Sequence, residues 1–154
     1  MPTTADLAAF ERELLAEIPL ARAMELRVRG YADDELVIAA PLPPNVNDKG
    51  CAFGGSLVSL LTLAGWGVVT LKLADLGRNC DVYVQDSHVR YVAPVWADFT
   101  ARARLADGES WPAFADALAA KGRARIRVHC RVPLADGGDA CTLEARFVAI
   151  ARAS

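Results

Sequence analysis

Apolar residues first recur at helical spacing near the amino terminus. Leu7, Phe10, Leu14 and Ile18 lie three or four positions apart, with charged residues between them. This period predicts a short amphipathic helix. Because proline disfavours a helical conformation in the residue before it, we expect this helix to end at Pro19.

The period of the pattern then changes to two. Met24, Leu26 and Val28 alternate with charged side chains, and the segment ADDE at 32–35 has the composition of a turn. The pattern predicts a hairpin of two strands over 24–42. Because proline cannot donate a hydrogen bond to a strand ladder, we expect the second strand to end at Pro41.

The longest apolar segment follows a short polar loop and predicts a helix from Gly54 to about Leu76, capped by Gly77. No charge occurs over 52–71, which is long enough for a membrane span. Glycine, serine and threonine dilute the run, however, so we favour a central helix that is buried on all sides. Gly65 and Gly67 each cost this helix about 1 kcal/mol relative to alanine. They suggest close approach by another backbone.

Four alternating segments complete the pattern and predict strands at 81–95, 98–106, 123–134 and 141–153. In the third segment we expect five side chains to face the core: Ala124, Ile126, Val128, Cys130 and Val132. A short helix over 109–122 is predicted to bring Trp111, Phe114 and Leu118 to the same core. The order of elements indicates an α+β fold, in which an antiparallel sheet has one face against the buried helix and the other in water.

Composition narrows the class of protein. The 154 residues suit one domain over 1–154, and the formal net charge of −2 gives no electrostatic reason to expect nucleic acid. Four scattered cysteines and only two histidines provide no zinc-ligand spacing, so no metal site is predicted. The amino-terminal segment lacks the basic and apolar regions of a signal peptide, and we therefore expect a cytoplasmic protein.

The loop NVNDKGCAFGG places glycines directly before the apolar helix. The first N–H groups of a helix have no internal partner, and the helix dipole adds partial positive charge there. With Gly50, Gly54 and Gly55 leaving access open, these N–H groups would suit a carbonyl oxygen that gains negative charge, or a phosphate. The alternative is that the glycines only allow a tight turn into the helix.

The segment NDKGCAFGG resembles the Asn-x-x-Gly-x-x-His-Gly-Gly signature of acyl-CoA thioesterases of the hot-dog fold. Asn47, Gly50, Gly54 and Gly55 match this signature, whereas Phe53 replaces its histidine. Together with LAGWG and DSHVRYVAPV, the loop more narrowly resembles the thioesterase-like domain of the YiiD C-terminal type.

This resemblance implies a curved antiparallel sheet wrapped around the long helix, and subunits that pair through their sheets as a homodimer or larger assembly. It implies hydrolysis of an acyl thioester, on coenzyme A or acyl carrier protein, by direct attack of water, without a cofactor. The N–H of Gly54 would polarise the thioester carbonyl, and Asn47 would orient substrate or water. An Asx-type turn that orders the loop is an equal alternative for Asn47.

The resemblance does not identify the general base in this chain. Many relatives have an acidic residue nine positions beyond the histidine, and that position is Thr62 here. Thr62 could hold a water, but we favour a hydroxyl bonded back within its own helix. The candidate carboxylates are Asp48, more simply a solvated loop acid, and Asp86, which would have to approach the loop, for example across a subunit interface. Ser87 could position the attacking water, and His88 could serve as a base or in a structural role.

Two other functions remain open. The missing helix carboxylate and Phe53 favour a module that binds acyl-CoA without hydrolysing it. An enoyl thioester hydratase would need a histidine and an acid, and Asp86 and His88 share one strand face if the alternation is regular. The arginines of the later strands are predicted to form a solvated sheet face or, in one or two cases, to bind coenzyme A phosphates: Arg102, Arg104, Arg123, Arg125, Arg127 and Arg131.

Overall fold

A computed structural model describes residues 1–153. The helices are α1 (Thr4–Glu17), α2 (Pro19–Ala23), α3 (Gly54–Asp75) and α4 (Trp111–Lys121), with a 3-10 turn at Pro43–Asn45. The strands are β1 (Arg27–Ala32), β2 (Glu35–Ala40), β3 (Cys80–Tyr91), β4 (Phe99–Leu105), β5 (Arg123–Pro133) and β6 (Asp139–Ala151).

All six strands form one antiparallel sheet in the order β1-β2-β4-β5-β6-β3. The hairpin β1–β2 is therefore separated from β3 by the three later strands, and β1 and β3 are the two edges. The face of the sheet that packs against α3 is called the inner face, and the opposite face is called the outer face. This is the predicted α+β hot-dog architecture, with the long helix against an antiparallel sheet.

Helix α3 forms the centre of the core, and its predicted bounds are confirmed to within one residue at its end. The expectation that a backbone approaches its glycines was wrong, because side chains fill the space. A Cβ on Gly65 would lie 2.9 Å from Cε2 of Phe147 and 3.0 Å from Cγ2 of Val128, and one on Gly67 would lie 2.7 Å from Cδ2 of Leu36. The glycines let the helix settle onto large residues of the sheet.

The same helix is the one in the described residues that is long and apolar enough to cross a membrane. About half of its most apolar window, 56%, is buried inside the protein. Length and composition are shared by membrane spans and core helices, and here the helix packs on five of the six strands.

The hairpin differs from its prediction at one end. Strand β1 begins at Arg27 rather than Met24, because Met24 closes α2 and Glu25 takes a left-handed conformation with φ of 56°. The predicted turn is confirmed. Asp33 and Asp34 both have positive φ values, 52° and 57°, as a two-residue hairpin turn with both residues in the left-handed region requires. A bulge between Val28 and Gly30 interrupts the pairing of the two strands.

The two faces of the later strands have the predicted polarity. The five core positions of β5 are buried, as are Trp111, Phe114 and Leu118 of α4. The arginines lie on the outer face, where Arg102 bonds Glu35, Arg127 bonds Glu109 and Arg131 bonds Asp139. Glu144 lies on the same face beside His129, with Nδ1 and Oε1 3.8 Å apart.

Candidate active site

The amino terminus of α3 presents free hydrogen-bond donors. Phe53 is the N-cap residue and its side chain makes no capping bond. Leu57 is the first residue of α3 whose N–H bonds within the helix, to the carbonyl of Phe53. Among the hydrogen bonds of residues 1–153, none satisfies the N–H of Gly54, Gly55 or Ser56. These donors therefore remain available to an oxygen that approaches along the helix axis.

Asn45 holds the loop in front of these donors. Its side chain is buried, and Nδ2 donates to the carbonyls of Met24 at 3.0 Å and Pro41 at 2.7 Å. The backbone carbonyl of Asn45 accepts from the N–H of Phe53 at 2.7 Å. One residue thus ties α2 and the end of β2 to the start of α3. Sequence reasoning missed this role, and the adjacent prolines, which restrict the chain into a turn, are the signal that could have indicated it.

Asn47 orders the loop from within. Its Oδ1 accepts from the N–H of Lys49 at 2.8 Å and of Cys51 at 3.2 Å, and its Nδ2 lies 3.2 Å from the Cys51 sulfur. The Asx-type interpretation is therefore confirmed. Orientation of substrate by the same side chain stays a prediction, and it would have to coexist with these bonds.

The remaining loop residues have simpler roles. Gly50 has φ of 87°, a conformation that side chains disfavour, so the turn itself requires glycine there. Asp48 is exposed, with its carboxylate 3.0 Å from Lys49 Nζ. This matches the solvated loop acid of the simpler interpretation, and contact of Asp48 or Gly50 with substrate stays a prediction.

Two aromatic rings explain the paired glycines. The ring of Tyr91, at the end of β3, lies against Gly54, so that a Cβ there would be 3.3 Å from Cε1. The ring of Phe53 folds over Gly55, where a Cβ would collide with Cε2 and lie 2.8 Å from Cζ. Both residues are more than half exposed, Tyr91 by 60% and Phe53 by 56%. The free N–H groups therefore lie between two accessible aromatic surfaces.

A β-bulge decides which residues of β3 face this site. Val84 is opposite the buried Phe147 and faces α3, but Asp86 is opposite the exposed Arg146, with Gln85 inserted between the two pairs. The extra residue reverses the alternation, because one added residue moves every later side chain to the other face.

The three predicted residues of β3 are consequently divided. Ser87 and Tyr91 lie opposite the buried Ala145 and Cys141 and face α3. Asp86 and His88 lie on the outer face, where Asp86 is 3.9 Å from Arg146. Asp86 is also five residues, roughly 17 Å of extended strand, from Tyr91. Within one chain the structure does not bring Asp86 or His88 to the loop, so a role of either residue there stays a prediction that depends on a subunit interface.

Thr62 is bonded within its own helix, since its hydroxyl donates to the carbonyl of Val58 at 2.8 Å. It also lines an apolar hollow of about 230 Å³ beside α3. The other residues of this hollow are Ile18, Leu20, Val58, Ser59 and Leu63. The favoured interpretation of the hydroxyl is thus confirmed, and contact of Thr62 with substrate stays a prediction. No set of three His, Cys, Asp or Glu residues within the described chain could hold a metal ion.

Comparison with known proteins assigns the family. Residues 7–151 match the family described as "Putative thioesterase (yiiD_Cterm)". The chain belongs to this family. A solved structure from Shewanella oneidensis, described as a "putative thioesterase", is 27% identical, with a TM-score of 0.82 over 94% of this chain and 96% of that one.

Two further structures extend the comparison. A protein of unknown function from Chlorobaculum tepidum is 27% identical, with a TM-score of 0.87 over 94% of both chains. A thioesterase from Haemophilus influenzae is 14% identical, with a TM-score of 0.71 over 94% of this chain and 90% of that one, and this likeness concerns the fold alone. Members of the yiiD_Cterm family thus share their fold with thioesterases of low sequence identity.

Proposed function

We propose that this protein hydrolyses an acyl thioester of coenzyme A or acyl carrier protein by direct attack of water. The observation that carries the proposal is the set of unsatisfied N–H groups of Gly54, Gly55 and Ser56 at the start of the 22-residue central helix. Membership of the yiiD_Cterm family supports the same reaction class.

The chemistry needs donors at this position. When water adds to the thioester carbon, the carbonyl oxygen becomes an oxyanion, and the C–S bond then breaks to release a thiol and a carboxylic acid. A preorganised N–H aimed at that oxygen stabilises the transition state, typically by a factor on the order of a hundred. The N–H of Gly54 supplies this donor in our proposal. The rings of Phe53 and Tyr91 and the apolar hollow at Thr62 would accept the acyl group.

The proposal includes a homodimer formed through β3. This edge strand of 12 residues has an unpaired side and exposes Tyr83, Val84 and Tyr91. A second copy that pairs there would cover these residues and extend the sheet. Ser87, which faces α3, is the strand residue that we assign to the attacking water. Asp86 or His88 could take its proton only by way of such an interface.

Removal of the proposed donor tests the mechanism. Gly54 is the first residue of α3, where proline fits a helix but lacks the N–H, and Phe53 before it already has the extended conformation that proline requires. We expect Gly54→Pro to release coenzyme A at least about a hundredfold more slowly than Gly54→Ala, which adds a side chain at the same place but keeps the donor. Equal rates for the two variants would contradict the role of Gly54.

The substrate is tested with a panel of short, medium, long and aromatic acyl-CoAs and with acyl carrier protein thioesters, followed by chromatography. Chromatography avoids interference from the four protein thiols. Replacement of Asn47 should reduce turnover, whereas replacement of Arg125, which bonds Gln85 on the outer face, should not. A cytoplasmic role in fatty acid metabolism is the setting that this substrate class suggests.

A second candidate is an acyl-CoA-binding module without hydrolysis. This candidate is favoured because α3 has no evident general base near the loop. The hydroxyl of Thr62 is already bonded within the helix, and Asp75, the one carboxylate of α3, lies at the far end of the helix. Acyl-CoA binding without release of coenzyme A from any substrate would decide for it. An enoyl thioester hydratase loses support, because Asp86 and His88 face away from the loop. Unchanged enoyl absorbance on incubation with an enoyl-CoA would exclude it.

A further inference from the structure

A second groove lies on the outer face of the sheet, well away from the helix terminus. It has a volume of about 560 Å³ and crosses β1, β2 and β4. Among the residues that line it are three arginines and two acids: Arg29, Arg102, Arg104, Asp33 and Glu35.

The groove lies at the bulge in β1. The bulge between Val28 and Gly30 disturbs the strand beside Arg29, and Gly30 pairs with Val37 on the groove floor. A Cβ on Gly30 would meet no heavy atom within 4 Å, so the space above it is open. Glycine weakens a strand interior and often marks a site of close approach by a ligand or another backbone.

The charges around the groove are incompletely neutralised. Arg102 Nη1 bonds Glu35 Oε1 at 2.8 Å, but within residues 1–153 neither Arg29 nor Arg104 forms an ion pair. Asp33, in the hairpin turn, is the other acid along the groove, and it also forms no ion pair in that part of the chain. The local excess of guanidinium groups contrasts with the net charge of −2 of the whole chain.

We propose that this groove binds a ligand that carries phosphate groups. A guanidinium group offers a planar fork of donors that matches two oxygens of a phosphate. Arg29 and Arg104, which form no ion pair within residues 1–153, line this hollow together with Arg102, which is bonded to Glu35. Asp33 is placed to accept a hydroxyl of the same ligand, as carboxylates do for ribose. The site is independent of the thioester site, because Gly54 lies on the inner side of the sheet and β3 is at the opposite edge.

Titration with inorganic pyrophosphate tests the proposal, by calorimetry and by amide chemical shifts. We expect saturable binding that the double variant Arg29→Ala/Arg104→Ala weakens at least tenfold. Arg123→Ala is the matched control, because Arg123 is also an exposed arginine of the outer face without an ion pair in the described chain, but lies at the far end of β5. It should change the dissociation constant less than twofold. Equal weakening by both would overturn the site in favour of diffuse attraction to the whole face.

A second variant distinguishes loss of binding from loss of folding. Gly30→Val fills the hollow and favours the strand, while all three arginines stay in place. It should weaken pyrophosphate binding at least fivefold without lowering the unfolding midpoint. Absence of saturable binding to the unmodified protein, or full binding by Gly30→Val, would refute the proposal. Comparison of pyrophosphate with ADP and coenzyme A distinguishes two sources of the phosphate groups. Tighter binding of the nucleotides would indicate a nucleoside phosphate as the ligand, and equal binding would indicate free phosphate.

Discussion

The ring of Tyr91 covers the α-carbon of Gly54, with Cε1 3.3 Å from the place that a Cβ would occupy. The last residue of an edge strand thereby forms one wall of the site in which the first residue of the central helix presents its N–H. The contact joins two motifs that are 37 positions apart in the sequence, FGG and DSHVRY.

We expect Tyr91→Ala to lower thioester turnover at least about tenfold, because loss of the ring opens the donors of the helix terminus to water and low-dielectric surroundings strengthen such donors. Tyr91→Phe keeps the ring and should retain most of the rate. Parallel kinetics of the two variants on the best acyl-CoA provide the measurement. A similar loss in both variants would instead assign the effect to the hydroxyl.

The contact between Phe53 and Gly55 predicts an interaction that can be measured as a double-mutant cycle. Gly55→Ala should lose part of the about 1 kcal/mol of helix propensity that alanine has over glycine, because the new Cβ must push the exposed Phe53 ring aside. Phe53→Ala in the same chain should restore most of that loss. Urea unfolding of the two single variants and the double variant gives the coupling free energy. Additive effects would show that the ring moves aside freely.

A glycine at the centre of α3 gives a third prediction. Gly65→Ala gains about 1 kcal/mol of helix propensity but forces a methyl group against Phe147 and Val128, which should cost about 1–3 kcal/mol. We expect a net destabilisation, seen as a lower urea midpoint. Phe147→Leu should relieve it when combined with Gly65→Ala, although Phe147→Leu alone leaves a cavity. A stabilised Gly65→Ala variant would contradict the tight packing.

The cysteines should differ in reactivity. Cys51, Cys130 and Cys141 are buried, and burial raises the pKa of the Cys130 and Cys141 thiols. Cys80 is partly exposed, and burial raises its pKa as well, so its thiolate fraction at neutral pH is small. A thiol reagent should therefore label one site slowly in the folded protein, faster as the pH rises, and Cys80→Ser should abolish that reaction. Rapid labelling of several thiols would contradict this arrangement.

The edge strand predicts the oligomeric state. Val84→Lys places a charge at an exposed position of the edge strand β3 and should convert a dimer to a monomer, measured by light scattering after size exclusion. Leu20→Lys is the control, because Leu20 is similarly exposed but lies on α2. A dimer that persists in Val84→Lys would place the interface elsewhere.

Local signals in the sequence predicted the elements well. The bounds of α3 followed from its uncharged run, the faces of β5 from strict alternation, and the bond of Thr62 to Val58 from the behaviour of threonine within helices. Each of these depends on residues close in the chain.

The arrangement of the site could not be predicted, because it depends on contacts between residues that are far apart in the sequence. Regular alternation would have put Asp86 on the same face as Val84, towards α3, and the bulge at Gln85 reversed this. One inserted residue therefore separated Asp86 and His88 from the loop and turned Ser87 and Tyr91 towards α3. The side chain of Gln85 accepts from Arg125 on β5 at 2.8 Å, a contact that becomes visible only when the strand order is known. Asn45 was missed for the same reason, since its partners come from two distant elements.

The position of β6 between β5 and β3 has a consequence for biosynthesis. Strand β3 has no hydrogen-bonding partner in the sheet except β6, which follows roughly 50 residues later, or several seconds of synthesis at about 5–20 residues per second. During that interval the emerging chain carries an unpaired strand directly after its most hydrophobic helix. We expect this interval to be the period in which a nascent chain depends most on chaperones, and it ends only when β6 inserts.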